Sequence, residues 1–331
     1  MQRLCDIALT EWRHPHFSTR LLFNLIPLSI QRIIRDTGIG RILADTATTI
    51  MAVLFGLACP SQIVNLVIIR KTQKVLHYGK SPSEFLKVID IHENELKRAT
   101  GGNSKVLIFV HGGAWGSGKP WMYQFTVQGL AQSVGATKAV VVGYPLYPEA
   151  SIKEQVKCVI SAVDYIKSNL TIVDSTLILA GHSSGANIAA LACIESASAG
   201  TKFIDLFIGL CGVYDLHKHH WYEANRGVHE ISPMTAAAGG YDELPTSSPT
   251  TLLSLPHVRM NLKPTNFPRC ILLHGHADTT VPVSSTMEFE CALQQLEIPV
   301  KAIYYQVCNC TKELQSNTMH VSFFFMLYSK L

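Results

Sequence analysis

A chain of 331 residues that is 47% hydrophobic and only 16% charged, where ordinary globular chains carry about 25% charged residues, is not a disordered polypeptide. Its net charge of +4, with no basic run longer than Arg70–Lys71, gives no footprint for a nucleic-acid partner. The mean hydropathy of +0.19 places an excess of apolar residues somewhere along the chain. Nine scattered cysteines, an odd number, do not form the dense framework of a small secreted domain. Cys308 and Cys310 lack the second pair that zinc requires, and Asn169-Leu-Thr and Asn309-Cys-Thr match a glycosylation pattern that chance often supplies.

In chain order, the apolar excess comes first. Arg20–Arg35 (RLLFNLIPLSIQRIIR) has Leu and Ile at near-helical spacing with arginines at its ends. It reads either as an amphipathic helix at a membrane interface or as one packed on its neighbour. Thr46–Ile69 is 24 residues without a charge, where about 20 suffice to cross the hydrocarbon core. Pro60, Gln62 and Asn65 interrupt it, so a buried or re-entrant helix is the competing expectation. The run starts too late and is too long for a cleavable signal, and positive charges on both sides leave its orientation open.

Beyond residue 75 short apolar runs alternate with helical patterns. Strands are expected at Phe85–His92, Val106–Val110, Ala139–Val142, Thr176–Ala180, Phe203–Leu210, Cys270–Leu273 and Val300–Tyr305. Helices are expected at Ser151–Asn169, at Ser184 to about Ser196, and at Ser284–Leu296. The alternation predicts an α/β architecture, a mostly parallel sheet with helices on both faces, whose chemistry lies at the carboxyl ends of the strands.

Three motifs stand at such ends. Gly181-His182-Ser183-Ser184-Gly185 is G-x-S-x-G between a strand and a helix, a turn that lifts Ser183 to the sheet edge as a nucleophile. His111-Gly112-Gly113-Ala114-Trp115 follows the VLIFV strand. Its glycines leave N–H groups open, so Gly113 and Ala114, with Ser184 from the nucleophile turn, are the candidate oxyanion donors. His111 orders the loop, and Trp115 is either a wall of the substrate pocket or a packed aromatic. His274-Gly275-His276-Ala277-Asp278 places Asp278 just past a strand, as the acid of a triad. Asp215 and Asp242 compete for that role but precede the penultimate strand. His320, the only histidine after Asp278, is the candidate base, reached across an extended segment, residues 306–319. His217, His219 and His220 do not make a metal site without a carboxylate cluster, and no cofactor is implied.

HGGAW, Tyr144–Pro148 (YPLYP), GHSSGAN and HGHADTTVP together resemble the α/β-hydrolase superfamily, in the branch of hormone-sensitive-lipase-like carboxylesterases. Leu210–Leu216, Gly227–Met234 and Ser248-Pro249-Thr250 bring it nearest to the prenylcysteine methylesterase-like proteins. It departs from their pattern at His182 and Ser184, where they typically carry Gln and Ala. The resemblance implies an α/β-hydrolase fold with a cap, and a Ser183–Asp278–His320 triad hydrolysing a small-molecule or lipidated ester. It also implies association with the endoplasmic reticulum or Golgi membrane. The expected organisation is an N-terminal hydrophobic, membrane-associated region at 1–75 with hydrophobic helices, and a catalytic domain at 76–331 with cap elements at about 214–264. An amidase or formamidase using the same machinery, and a catalytically inactive ligand-binding module, remain open alternatives.

Overall fold

The computed structural model describes residues 27–36, 73–91, 104–171 and 174–306. The uncharged run at 46–69 and His320 lie outside the described residues. The strands are β1 (Lys74–His77), β2 (Phe85–Asp90), β3 (Lys105–Val110), β4 (Lys138–Val142), β5 (Thr176–His182), β6 (Leu206–Leu210), β7 (Arg269–Gly275) and β8 (Val300–Tyr305). They form one sheet in the order β1-β2-β4-β3-β5-β6-β7-β8. Pairing is parallel from β4 through β8, while β1 and β2 pair antiparallel at one edge. The seven expected strands are all present. β2 ends at Asp90 instead of His92 and β6 begins at Leu206 instead of Phe203, and the eighth strand, β1, has no counterpart among the expectations. Its four residues, KVLH, are mostly exposed and carry no buried apolar face to signal a strand.

The central strands are apolar on every residue because both faces are covered. Val106, Ile108, Val110, Leu177 and Leu179 point to one layer, where they meet α3 (Ile152–Asn169) and α4 (Ser184–Ser198). Leu107, Phe109, Ile178 and Ala180 point to the other, against Val127, Leu130 and Ala131 of α2 (Gln124–Ser133). The helix α3 starts at a capping box: the Ser151 hydroxyl accepts from the Glu154 amide while the Glu154 carboxylate accepts from the Ser151 amide. α4 is built of small residues, GANIAALA, so it lies close over the sheet and is buried along almost its whole length. After β7, α9 (Ser284–Gln295) returns the chain to β8.

Between β6 and β7 the chain leaves the sheet and builds a cap of short helices. These include α5 (Leu216–Arg226), α6 (Met234–Ala238), α7 (Pro249–Ser254) and α8 (Pro256–Asn261). Asp215 caps α5 through Oδ1, which accepts from the Lys218 amide at 3.0 Å, and Gly227 ends it in the left-handed region. The described part of the arginine-flanked N-terminal stretch is helix α1 (Leu28–Asp36). It rests on the domain by its polar side: Arg32 makes a two-pronged pair with Glu230 at 3.0 and 3.1 Å, and the Tyr147 hydroxyl donates to Asp36. Ile30 and Ile33 of the same helix are 45% and 56% exposed. No helix among the described residues is long and apolar enough to cross a membrane.

The segment entering α5 is joined to α9 by a fully buried aromatic pair, Tyr214 stacked on Phe289 with ring centroids 4.1 Å apart. Phe289→Ala is expected to lower the unfolding free energy by about 3–5 kcal/mol, because the cavity beneath Tyr214 has no way to close. A urea titration checks it; a loss below about 1 kcal/mol would show that the pair is not holding the cap's base.

Candidate active site

Strand register brings the three motifs to one edge. Val110 pairs with Gly181, Gly181 with Gly209, and Leu210 with Leu273, so the residues following β3, β5, β6 and β7 emerge side by side. Ser183 stands between β5 and α4 at φ 54° and ψ −123°, a strained conformation that costs on the order of 1–3 kcal/mol. Its amide donates to Leu210 O at 2.9 Å, which pins the turn to the neighbouring strand end. A Cβ on Gly181 would lie 2.5 Å from Gly185 O, and one on Gly185 would collide with the carbonyls of Val110 and His111. Only glycines allow the strand, the helix and the preceding loop to meet there.

The HGGAW loop lies against this turn. A Cβ on Gly112 would sit 2.6 Å from His182 O and 3.1 Å from the Ser183 Cβ. Gly113, Ala114 and Trp115 all have positive φ, at 139°, 49° and 60°. The amides of Gly113, Ala114 and Ser184 donate to no backbone carbonyl among the described residues. Ser184 also opens α4, whose dipole favours negative charge at that end. Such amides can receive an oxyanion.

The loop is held from behind. Trp115 is 1% exposed, its indole N–H donates to Asn187 Oδ1 at 3.1 Å, and Gln155 donates to its carbonyl at 2.9 Å. Asn187 in turn donates to Ser247 O in the cap. His111 stacks on Tyr144 at 4.5 Å, and the Tyr144 hydroxyl donates to His111 O at 2.6 Å. His182 is buried with Nδ1 3.2 Å from the Tyr123 hydroxyl; burial pushes that phenol up, so it stays protonated. Asn187, Gln155 and Tyr123 escape sequence reasoning, because a buried polar side chain has no local pattern.

Asp278 follows β7 in a turn that it closes itself. Its Oδ1 accepts from the amides of Thr280 and Val281 at 2.8 and 3.0 Å, and its side chain is 5% exposed. The competing carboxylates go elsewhere: Asp215 caps α5, and Asp242 stands in a short turn of 3-10 helix, Tyr241–Glu243. Beneath Asp278, His274 and Cys211 bring candidate ligand atoms within 4.8 Å of one another, the one such trio among the described residues. The imidazole is already committed. His274 Nε2 donates to Val281 O at 3.0 Å, so Nδ1 is left to accept from the Thr286 hydroxyl at 2.6 Å. Both nitrogens are spent on fixing the turn, and the trio does not fit a metal ion. The Cys211 thiol is pushed well up by burial and by the adjacent Asp278 carboxylate.

The chain belongs to the α/β-hydrolase family: the alpha/beta hydrolase fold profile matches residues 107–305. It is 25% identical over 249 residues to the isoprenylcysteine alpha-carbonyl methylesterase ICME of Arabidopsis thaliana, covering 71% of this chain and 56% of that protein. It is 28% identical over 221 residues to a probable isoprenylcysteine alpha-carbonyl methylesterase of Oryza sativa subsp. japonica, covering 61% of this chain and 50% of that one. The chain thus spans about half the length of the curated relatives it matches. Among solved structures, a hyperthermophilic esterase from Pyrobaculum calidifontis superposes with a TM-score of 0.59 at 17% identity, over 92% of this chain and 99% of that one. Esterase B from Lactobacillus rhamnosis gives 0.56 at 13% identity, over 86% and 97%. At these identities the structural likeness is one of fold.

The thiols give the site a direct test of order. Cys193, Cys211 and Cys270 are buried, and burial raises all three above the ordinary thiol range. Thiolate, the reactive form, is therefore scarce in the folded protein at pH 8. Peptide mapping after iodoacetamide should find these three unlabelled in the native protein and labelled in guanidinium. Native labelling of Cys211 would show that the turn carrying Asp278 opens.

Proposed function

We propose that this protein is a serine carboxylesterase acting through an acyl-enzyme, with the methyl ester of a prenylated cysteine as its substrate. The observation that carries the reading is Ser183, strained at a strand-to-helix turn with the HGG loop packed against it. The names of the plant relatives support the substrate class. In the proposed reaction the Ser183 hydroxyl adds to the ester carbonyl while His320 takes its proton, and Asp278 stabilises the resulting imidazolium. The amides of Gly113, Ala114 and Ser184 hold the oxyanion. The tetrahedral adduct expels the alkoxide, methanol for a methyl ester, which leaves with the proton returned by His320. Water, deprotonated by the same imidazole, then adds to the acyl-Ser183 carbonyl, and collapse frees the acid and restores the serine.

A fluorophosphonate probe reports an activated serine without requiring the natural substrate. The wild-type protein should be labelled at Ser183, and Ser183→Ala should be unlabelled and inactive on p-nitrophenyl esters. His320→Ala and Asp278→Asn should each lower turnover by about three or more orders of magnitude. A folded wild-type protein that takes no label would overturn the esterase in favour of a ligand-binding module.

We also propose that the protein works at the endoplasmic reticulum or Golgi membrane, held by the uncharged run Thr46–Ile69. The exposed Ile30 and Ile33 on α1 support an apolar N-terminal side. The full chain should stay with membranes through carbonate extraction, and recovery in the supernatant would count against the anchor.

A further inference from the structure

The turn that carries Asp278 is clamped on its inner side, where His274 Nε2 donates to Val281 O and Asp278 Oδ1 closes on its own backbone. The carbonyls of half-buried Thr279 and exposed Thr280 take no part in that clamp. They are taken instead by the cap. The Tyr222 hydroxyl donates to Thr279 O at 2.8 Å, and Arg226 Nη1 reaches Thr280 O at 3.5 Å. The Arg226 guanidinium lies over the Tyr222 ring, 5.6 Å from its centroid. Both side chains project from α5, one turn apart, and α5 starts at the Asp215 cap just after Tyr214, which stacks on Phe289 of α9.

We propose that Tyr222, steadied by Arg226, is a positioning residue for the reaction: it couples the cap helix to the turn that aims Asp278. The proposal rests on the reading of Asp278 as the triad acid. The carboxylate must face the imidazole of the base to hold its tautomer and stabilise its charged form. Among the described residues, the groups around Asp278 include Cys211 beyond β6, His274 on β7, and, through the Thr279 and Thr280 carbonyls, Tyr222 and Arg226 on α5. Of these, the α5 pair belongs to the segment that lies over the sheet edge and not to the sheet itself. Displacement of the cap would pull on the acid, so that a cap set correctly on a substrate completes the triad and a displaced one loosens it.

The experiment compares Tyr222→Phe with wild type on a p-nitrophenyl ester, with rates counted per fluorophosphonate-labelled site so that only folded sites contribute. Losing one hydrogen bond to the turn should lower kcat by roughly five- to tenfold with KM nearly unchanged. With the carboxylate less well aimed, the base loses part of the charge that raises its affinity for a proton. The acid limb of kcat/KM should therefore move to lower pH, a shift that a purely structural role would not produce. Trp221→Ala removes the neighbouring side chain on α5, which is 51% exposed, and should leave both kcat and the limb in place. Wild-type kcat and an unmoved limb in Tyr222→Phe would overturn the proposal while leaving the esterase reading intact. The same losses in Trp221→Ala would overturn it too, by showing a general effect of disturbing the helix. Full turnover in Asp278→Asn would overturn the assignment of the acid and this proposal with it.

Discussion

Everything at the active edge depends on how closely three pieces of backbone approach one another. The end of β3, the turn after β5 and the first residues of α4 meet with no room for a Cβ at Gly181 or Gly185. That approach forces Ser183 into its positive φ and lays the HGG loop against the serine. Strain at one residue, on the order of 1–3 kcal/mol, is small beside a core whose central strands are buried on both faces. The sheet therefore sets the serine's geometry, and the serine's own side chain has no part in holding it. Ser183 as a whole is 9% exposed at the strand edge.

The polar groups around the site are arranged in two shells of support with different owners. The oxyanion loop is supported by α3 and α4, through Gln155 and Asn187 on either side of Trp115. The turn carrying Asp278 is supported by β7 and α9, through His274 and Thr286. Each support also touches the cap: Asn187 donates to Ser247 O, and the Thr279 carbonyl accepts from Tyr222. The helices between β6 and β7 are thus hydrogen-bonded on both sides of the sheet edge, at Asn187 and at the Thr279 carbonyl.

Much of this was legible in the residues. VLIFV and TLILA announce strands buried on both faces, and the G-x-S-x-G between TLILA and a small-residue run stands at the strand-to-helix turn expected for it. Chain order favoured Asp278 over Asp215, and Asp215 is engaged in capping a helix. β1 was not legible, because an exposed edge strand of four residues makes its hydrogen bonds with backbone alone and leaves no apolar pattern. Nor was the start of β6: Phe203 and Ile204 are as apolar and buried as a strand residue, yet they pack into the core before pairing begins at Leu206. The polar supports were hidden for another reason. Gln155, Asn187 and Tyr222 are defined by partners 40, 60 and 57 positions away, and periodicity cannot report a contact at that range.

The same distinction bears on where specificity can evolve in such a chain. Trp115 was open to two sequence readings, pocket wall or packed aromatic, and its indole is bonded to Asn187 within the core. A side chain committed in this way is costly to change, since removing it leaves a buried amide oxygen without its donor. The cap has few such commitments on its outer face, where Trp221 and Tyr241 are exposed. Its inner face is tied at a small number of points, Tyr222, Arg226 and Ser247, to the turn and helix that carry the reactive groups. On the proposed reading, substitutions between those ties would leave Ser183 and Asp278 in place, while substitutions at the ties would disturb the backbone around them. The few hydrogen bonds shared by the short helices and the sheet edge are, on that reading, where selection of a substrate and reaction upon it would be coupled.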